Sequence, residues 1–224
     1  MDLHDLLLND DLDFLEIIEY GYPRRIYDRA EPYLNLDNLS FFRKFRLTKP
    51  TVLNLLYEIE SLLEFPNDLN NSISPINQLL TCMRYYASAG HITSVADFMG
   101  RHVSTASRII LRVSEALCTL SDRYIKMPSN AELVNVPQQF YQQALFPRVI
   151  GCVDGTHIKI QSPGGEDPEV FRNRKGYFYI NTQVVCDSNL KIMDLVARWP
   201  GSTHDATIFM NCALKEIIFQ ILCY

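Results

Sequence analysis

The sequence predicts an α+β protein, with helices in the first half and a β-β-β-α segment in the second. Three observations predict this. Apolar residues recur at helical spacing in residues 1–65 and 75–127. The character changes at Arg148, where β-branched and aromatic residues begin to alternate. Two of the later runs, Tyr177–Asp187 and Leu190–Trp199, are separated only by Ser188-Asn189, the length of a tight hairpin turn.

The elements follow in order. Asp11–Tyr20 has apolar residues at helical spacing, and Lys49-Pro50-Thr51 opens a helix over Val52–Leu63 with Leu53, Leu56, Ile59 and Leu63 on one face. Pro66–Ser74 is a polar breaker. Pro75–Ala89 is the next helix, with Leu79, Leu80, Met83 and either Tyr86 or Ala87 inward, and Gly90 ends it. Ser94-Val95-Ala96-Asp97 has the form of a capping box and starts a short helix ending at Met99-Gly100. Ser104 then caps a long helix, Thr105–Leu120, whose apolar stripe is Ala106, Ile109, Ile110, Val113, Ala116, Leu117 and Leu120. A long helix after a short one is the pattern of a helix-turn-helix, in which the first turn of the second helix reaches base edges. Arg101, His102, Ser104, Thr105 and Arg108 are therefore the candidate DNA contacts. An ordinary three-helix bundle with a polar outer face fits the same spacing.

Residues 128–147 are Pro-punctuated and form a connector. From Arg148 the chain reads as one long strand or a tight pair over Val149–Ile160, a polar loop over Gln161–Gly176, the two hairpin runs, and a helix beginning near Asp205. Ile208, Phe209, Leu214, Ile217 and Ile218 form that helix's apolar face. This β-β-β-α order is that of the first half of a ribonuclease-H-like fold. The expected domains are thus 1–65 (helical), 75–127 (helix-turn-helix), 128–147 (connector) and 148–224 (an incomplete nuclease-type domain).

Bulk properties narrow the classes. The chain has 224 residues, 47% of them hydrophobic and 21% charged, an ordinary globular composition. No apolar run approaches the roughly 18 residues of a membrane span. Six cysteines are scattered without a C-x-x-C pair, which reads as reduced thiols in an intracellular protein and speaks against a zinc site. The net charge is −5, yet the first 20 residues hold seven of the 26 acids and none of the 21 Lys and Arg. The remainder is slightly basic, and the acidic head reads as a solvated helix or as a segment competing with DNA.

The chemistry concentrates in Gly151-Cys152-Val153-Asp154-Gly155-Thr156-His157-Ile158-Lys159-Ile160. It reads as a buried strand, in which a carboxylate is costly unless it is paired or binds a metal. Gly151 and Gly155 leave the backbone open to close approach. A second carboxylate lies in Pro200-Gly201-Ser202-Thr203-His204-Asp205. Asp154 and Asp205 point to a site for Mg²⁺ or Mn²⁺ serving phosphoryl transfer. The competing readings are an Asp154 bonded to backbone N–H groups of the Gly155-Thr156 turn, and an Asp205 that is a helix cap or first-turn acid. Strand alternation sets Asp154 and His157 on opposite faces, which argues against a shuttle between them. Arg172, Arg174 and Lys175 lie in the loop before the second strand, where they could clamp phosphates.

The chain resembles the Harbinger (PIF/Harbinger-type) transposase-derived nucleases of the DDE superfamily. The resemblance rests on Phe42-Arg43-Lys44-Phe45-Arg46-Leu47-Thr48-Lys49, on Gln78 to Ala87, on Gly151 to Ile158, and on Trp199 to Asp205. It implies a helix-turn-helix, a two-metal nuclease centre, double-stranded DNA as substrate, a Myb/SANT-like protein partner, and residence in the nucleus with the cytoplasm as a second compartment. Asp154 matches the first metal-binding carboxylate and Asp205 the Asp of the family's G-S-x-H-D element. The family pattern continues past this segment with further acids, and Glu216 lies eleven residues after Asp205 within one helix, so the chain reads as C-terminally truncated. Two functions are expected from this: a metal-dependent DNA endonuclease, or a module that keeps the helix-turn-helix and only binds DNA or protein. With further strands missing, the Asp154 strand becomes a sheet edge and the last 75 residues are expected to be poorly soluble or partly molten.

Overall fold

The computed structural model describes residues 28–66, 72–165, 167–172, 176–212 and 214–215. The expected helix Asp11–Tyr20, the acidic head, Arg174, Lys175, Glu216 and Cys223 lie outside them. The protein is α+β: helices and one three-stranded antiparallel sheet. It divides between Cys118 and Thr119 into two compact units.

The first unit contains α1 (Pro32–Asn35), α2 (Asn38–Phe45), α3 (Lys49–Leu63), α4 (Pro75–Ser88), α5 (Ile92–Phe98) and α6 (Val103–Cys118). Asp37 starts α2 by accepting from the Leu39 and Ser40 N–H groups, and Thr48 starts α3 by accepting from Thr51. Phe41, Val52, Ile59, Leu63, Leu79, Leu80, Ala96, Met99 and Val113 are completely buried in the core, as are the polar Gln78 and Thr81 of α4. On α3 the inward set is Val52, Leu56, Ile59 and Leu63, whereas Leu53 is 45% exposed. A 3.6-residue period accommodates either residue, and Val52 is the one that is buried.

Helices α4, α5 and α6 pack on one another pairwise. Two caps differ from expectation. Ser94 lies inside α5, which begins at Ile92. Helix α6 begins at Val103, and the His102 ring supplies its cap: Nδ1 accepts from the Ser104 N–H at 3.2 Å and pairs with Ser104 Oγ at 2.7 Å. Helix α4 ends on Ala89 in the left-handed region, one residue before Gly90. The connection from α5 to α6 is the four residues 99–102. Gly100 there has φ +61°, and a Cβ on it would lie 1.8 Å from the Asp28 carbonyl oxygen. Only glycine permits both the conformation and that approach.

The second unit contains α7 (Ser121–Tyr124), α8 (Asn130–Leu133), α9 (Val136–Ala144), β1 (Cys152–Ile160), a 3₁₀ turn (Pro168–Phe171), β2 (Phe178–Cys186), β3 (Ile192–Pro200) and α10 (Asp205–Met210). The sheet order is β1-β2-β3, both pairs antiparallel, with Asp154 opposite Val184 and His157 opposite Asn181. The expected Val149–Ile160 is a single strand, and its register with β2 is continuous. Val185, Met193, Cys212 and Leu214 form the core on one sheet face. Strand β1 is not the buried strand that its apolar composition predicts. It is the edge of the sheet among the described residues, and each of its residues is exposed or half-buried. Cys82, Cys118, Cys152, Cys186 and Cys212 are free thiols.

Candidate functional site

Asp154 and Asp205 each touch Gly155, Asp154 at its N–H and Asp205 where a Cβ would stand. Asp154 is exposed, and its Oδ1 accepts from the Gly155 N–H at 2.9 Å. Asp205 approaches on the sheet face. A Cβ built on Gly155 would meet the Asp205 carboxylate carbon at 2.7 Å and both its oxygens at 2.8 Å. Standard bond lengths then bring the two carboxylates within roughly 9 Å of one another. The glycine is therefore what lets the acid at the start of α10 lie on β1 beside the edge acid. This close approach was visible in the sequence; its partner was not.

Asn181 fixes Asp205 in place. It is 1% exposed, and its Nδ2 donates to Asp205 Oδ1 at 2.9 Å and to the Thr203 carbonyl at 2.8 Å. Its own Oδ1 has no hydrogen-bond partner. Sequence reasoning missed this residue, and the signal for it was the polar run Asn181-Thr182-Gln183 inside a strand that is otherwise apolar and aromatic. Gly201, in the loop leading to Asp205, donates its N–H to the Tyr179 carbonyl at 3.0 Å. Asp205 is the first residue of α10, the first-turn acid that its competing reading described, and Asp154 makes the backbone bond of its own competing reading. Neither arrangement uses up the carboxylate. Asp154 Oδ2 and Asp205 Oδ2 take no hydrogen bond among the described residues. His157 is opposite Asn181 and hence shares the face of Asp205, while alternation directs it away from Asp154.

The pair fits a hard divalent cation in its donor chemistry, since both side chains offer carboxylate oxygens. Among the described residues no third His, Cys, Asp or Glu joins them in a cluster.

The remaining candidates separate. Arg101 is 4% exposed, and among the described residues none of its guanidinium nitrogens has a hydrogen-bond partner, so it is no surface contact for DNA. Burial pushes it down to about 10, repulsion from Arg29 adds to this, and Glu31 opposes it. The residue follows Gly100, which lies close against Asp28. His102 and Ser104 are spent on capping α6 but remain exposed. Thr105 is half-buried, and Arg108 is exposed with its Nε donating to the Ser104 carbonyl at 3.2 Å. Arg172 is not an unengaged clamp: it pairs with Glu169 at 2.7 Å and lies over the Phe178 ring at 4.7 Å.

Residues 153–220 match the model of the DDE superfamily endonuclease family, a span that contains Asp154, Gly155, Asn181 and Asp205. Over that span the chain is similar to the DDE superfamily endonucleases, and most of its length is similar to the proteins that follow. One is the rat protein named "Putative nuclease HARBI1", 29% identical over 205 residues, which cover 90% of this chain and 57% of that protein. The human protein of the same name is 29% identical over 211 residues, with the same coverage. The Arabidopsis thaliana protein named "Protein ALP1-like" is 22% identical over 204 residues, covering 88% of this chain and 48% of that one. The chain thus spans about half the length of the curated relatives it matches. No solved structure matches it.

Proposed function

We propose that this chain is a metal-dependent DNA endonuclease of the DDE superfamily with Asp154 and Asp205 as its metal-holding carboxylates. The observation that carries this is that the edge acid and the face acid both touch Gly155. When bound there, Mg²⁺ or Mn²⁺ supplies Lewis-acid stabilisation of charge on the scissile phosphodiester and lowers the pKa of water. The chain's own residues do the positioning. Asn181 holds one Asp205 oxygen and leaves the other open, the Gly155 N–H orients Asp154, and Gly155 itself keeps the space between them free of a side chain.

The rest of the reading builds outward. The β-β-β-α order supports a ribonuclease-H-like domain over 148–224, and α4 to α6 with their four-residue connection support a helix-turn-helix over 75–127, alongside a helical region (1–65) and a connector (128–147). His102, Ser104, Thr105 and Arg108 at the start of α6 are then its DNA-facing residues. Arg174 and Lys175 complete the phosphate contacts, with Arg172 shared with Glu169. Double-stranded DNA is the substrate, nuclear residence follows from that substrate, and a Myb/SANT-like partner follows from the family. Nicking of supercoiled plasmid in Mg²⁺ tests the reading: Asp154→Ala lowers the rate by about 10²-fold or more. Equal cleavage by both proteins would refute the endonuclease and leave a module that only binds.

A further inference from the structure

The sheet face that carries Asp205 continues into an exposed aromatic strip that the carboxylate site does not use. His157 and Tyr179 have ring centroids 5.5 Å apart, and Tyr177 meets Tyr179 edge-on at 6.4 Å. Lys159 lies across Tyr177 with its Nζ 4.2 Å from the ring centroid. Cross-strand register puts these groups on one face. Gly155 pairs with Gln183, His157 with Asn181 and Lys159 with Tyr179, and Asn181 donates to Asp205. Along β1 the strip therefore begins about 7 Å from Gly155 and reaches about 13 Å from it at Lys159. It lies outside the core: His157, Lys159 and Tyr177 are exposed, Tyr177 by 48%. Strand propensity explains tyrosines in β2. It does not explain three rings and a cation side by side on the face that carries Asp205.

We propose that this strip is a stacking platform for unpaired bases of single-stranded DNA beside the scissile phosphate, with Lys159 on the phosphate backbone. The proposal rests on the nuclease reading for its location only. Aromatic rings stack on bases of any identity, and a neighbouring cation follows the backbone, which is the combination that binds single strands without reading sequence. A duplex hides its base faces, so the platform requires a substrate opened or frayed at the cut.

The test is fluorescence anisotropy on the full chain in EDTA, where no cleavage occurs. A mixed-sequence single strand is compared with the same strand made abasic along its length, for wild type, Tyr177→Leu and Tyr177→Phe. The expected result is that wild type prefers the strand with bases by about 10-fold, Tyr177→Leu loses that preference, and Tyr177→Phe retains it. Iododeoxyuridine in the strand should photocrosslink to peptides containing His157, Tyr177 or Tyr179. If Tyr177→Leu keeps the wild-type preference, or crosslinks fall elsewhere, the platform is wrong. Plasmid nicking by wild type against Asp154→Ala reports on the nuclease reading separately, so either can fail alone.

Discussion

The helical unit and the sheet unit spend their polar side chains in opposite ways. In the helical unit three arginines are turned inward or used as struts. Arg84 donates to the Lys44 carbonyl and lies over Phe98, Arg112 donates to the carbonyls of Leu62 and Glu64 and stacks on Phe65, and Arg101 is buried outright. In the sheet unit the notable polar groups stand on an open strand: Asp154, His157 and Lys159 are all exposed on β1. The difference teaches that a basic residue near a recognition-type helix is not thereby a DNA contact, whereas an acid in an edge strand bears little burial cost and needs another reason to be there.

The largest effect expected from breaking this contrast is at Arg101. A guanidinium buried with no hydrogen-bond partner among the described residues costs more than a flexible apolar side chain of similar length, so Arg101→Met should stabilise the helical unit by about 1–4 kcal/mol in denaturant unfolding. A loss of stability would mean that the cation is paired after all. Next is Asn181, the single buried amide linking β2 to Asp205. Asn181→Leu strands the Thr203 carbonyl and one Asp205 oxygen, and should cost about 1–3 kcal/mol in the sheet unit while leaving the helical unit's melt unchanged. The smallest effect is at Asp37. The Ser40 hydroxyl, then the Ser40 and Leu39 N–H groups, hold its carboxyl below the ordinary carboxylate range. Its folded pKa is depressed, so its contribution is present above the ordinary carboxylate pKa and is lost as pH falls through the lowered value. Asp37→Asn should flatten that acid limb of the stability–pH curve slightly, and an unchanged curve would remove Asp37 from it.

The same contrast explains what was legible in the sequence. Helix phases were, because a buried stripe such as Ile109, Val113 and Ala116 repeats without ambiguity. Caps were less so: Ser94 and Ser104 have the right chemistry, but His102 and the earlier start at Ile92 won through backbone geometry that spacing does not encode. The hairpin of β2 and β3 was legible from two alternating runs and a short turn. For β1 the expected edge position is the one found among the described residues, whereas its composition alone pointed to a buried strand, because apolar runs look alike in a central strand and in an edge strand with one partner. Arg101 was misplaced for a related reason, since its burial depends on tertiary packing that helical spacing does not encode. The two acids were legible as isolated carboxylates, while Asn181 and the meeting at Gly155 required the register of β1 against β2.

The central claim is that Asp154 and Asp205 form one site around Gly155. Manganese binding followed by electron paramagnetic resonance tests it most directly, on the full chain and on Asp154→Asn, Asp205→Asn and Gly155→Ala. The account predicts that wild type binds the ion and that each of the three substitutions weakens binding by about 10-fold or more. Gly155→Ala belongs in that set because its methyl group would occupy the position 2.7–2.8 Å from the Asp205 carboxylate. If Asp205→Asn and Gly155→Ala bind manganese as wild type does, the two acids do not share a site and the account is contradicted.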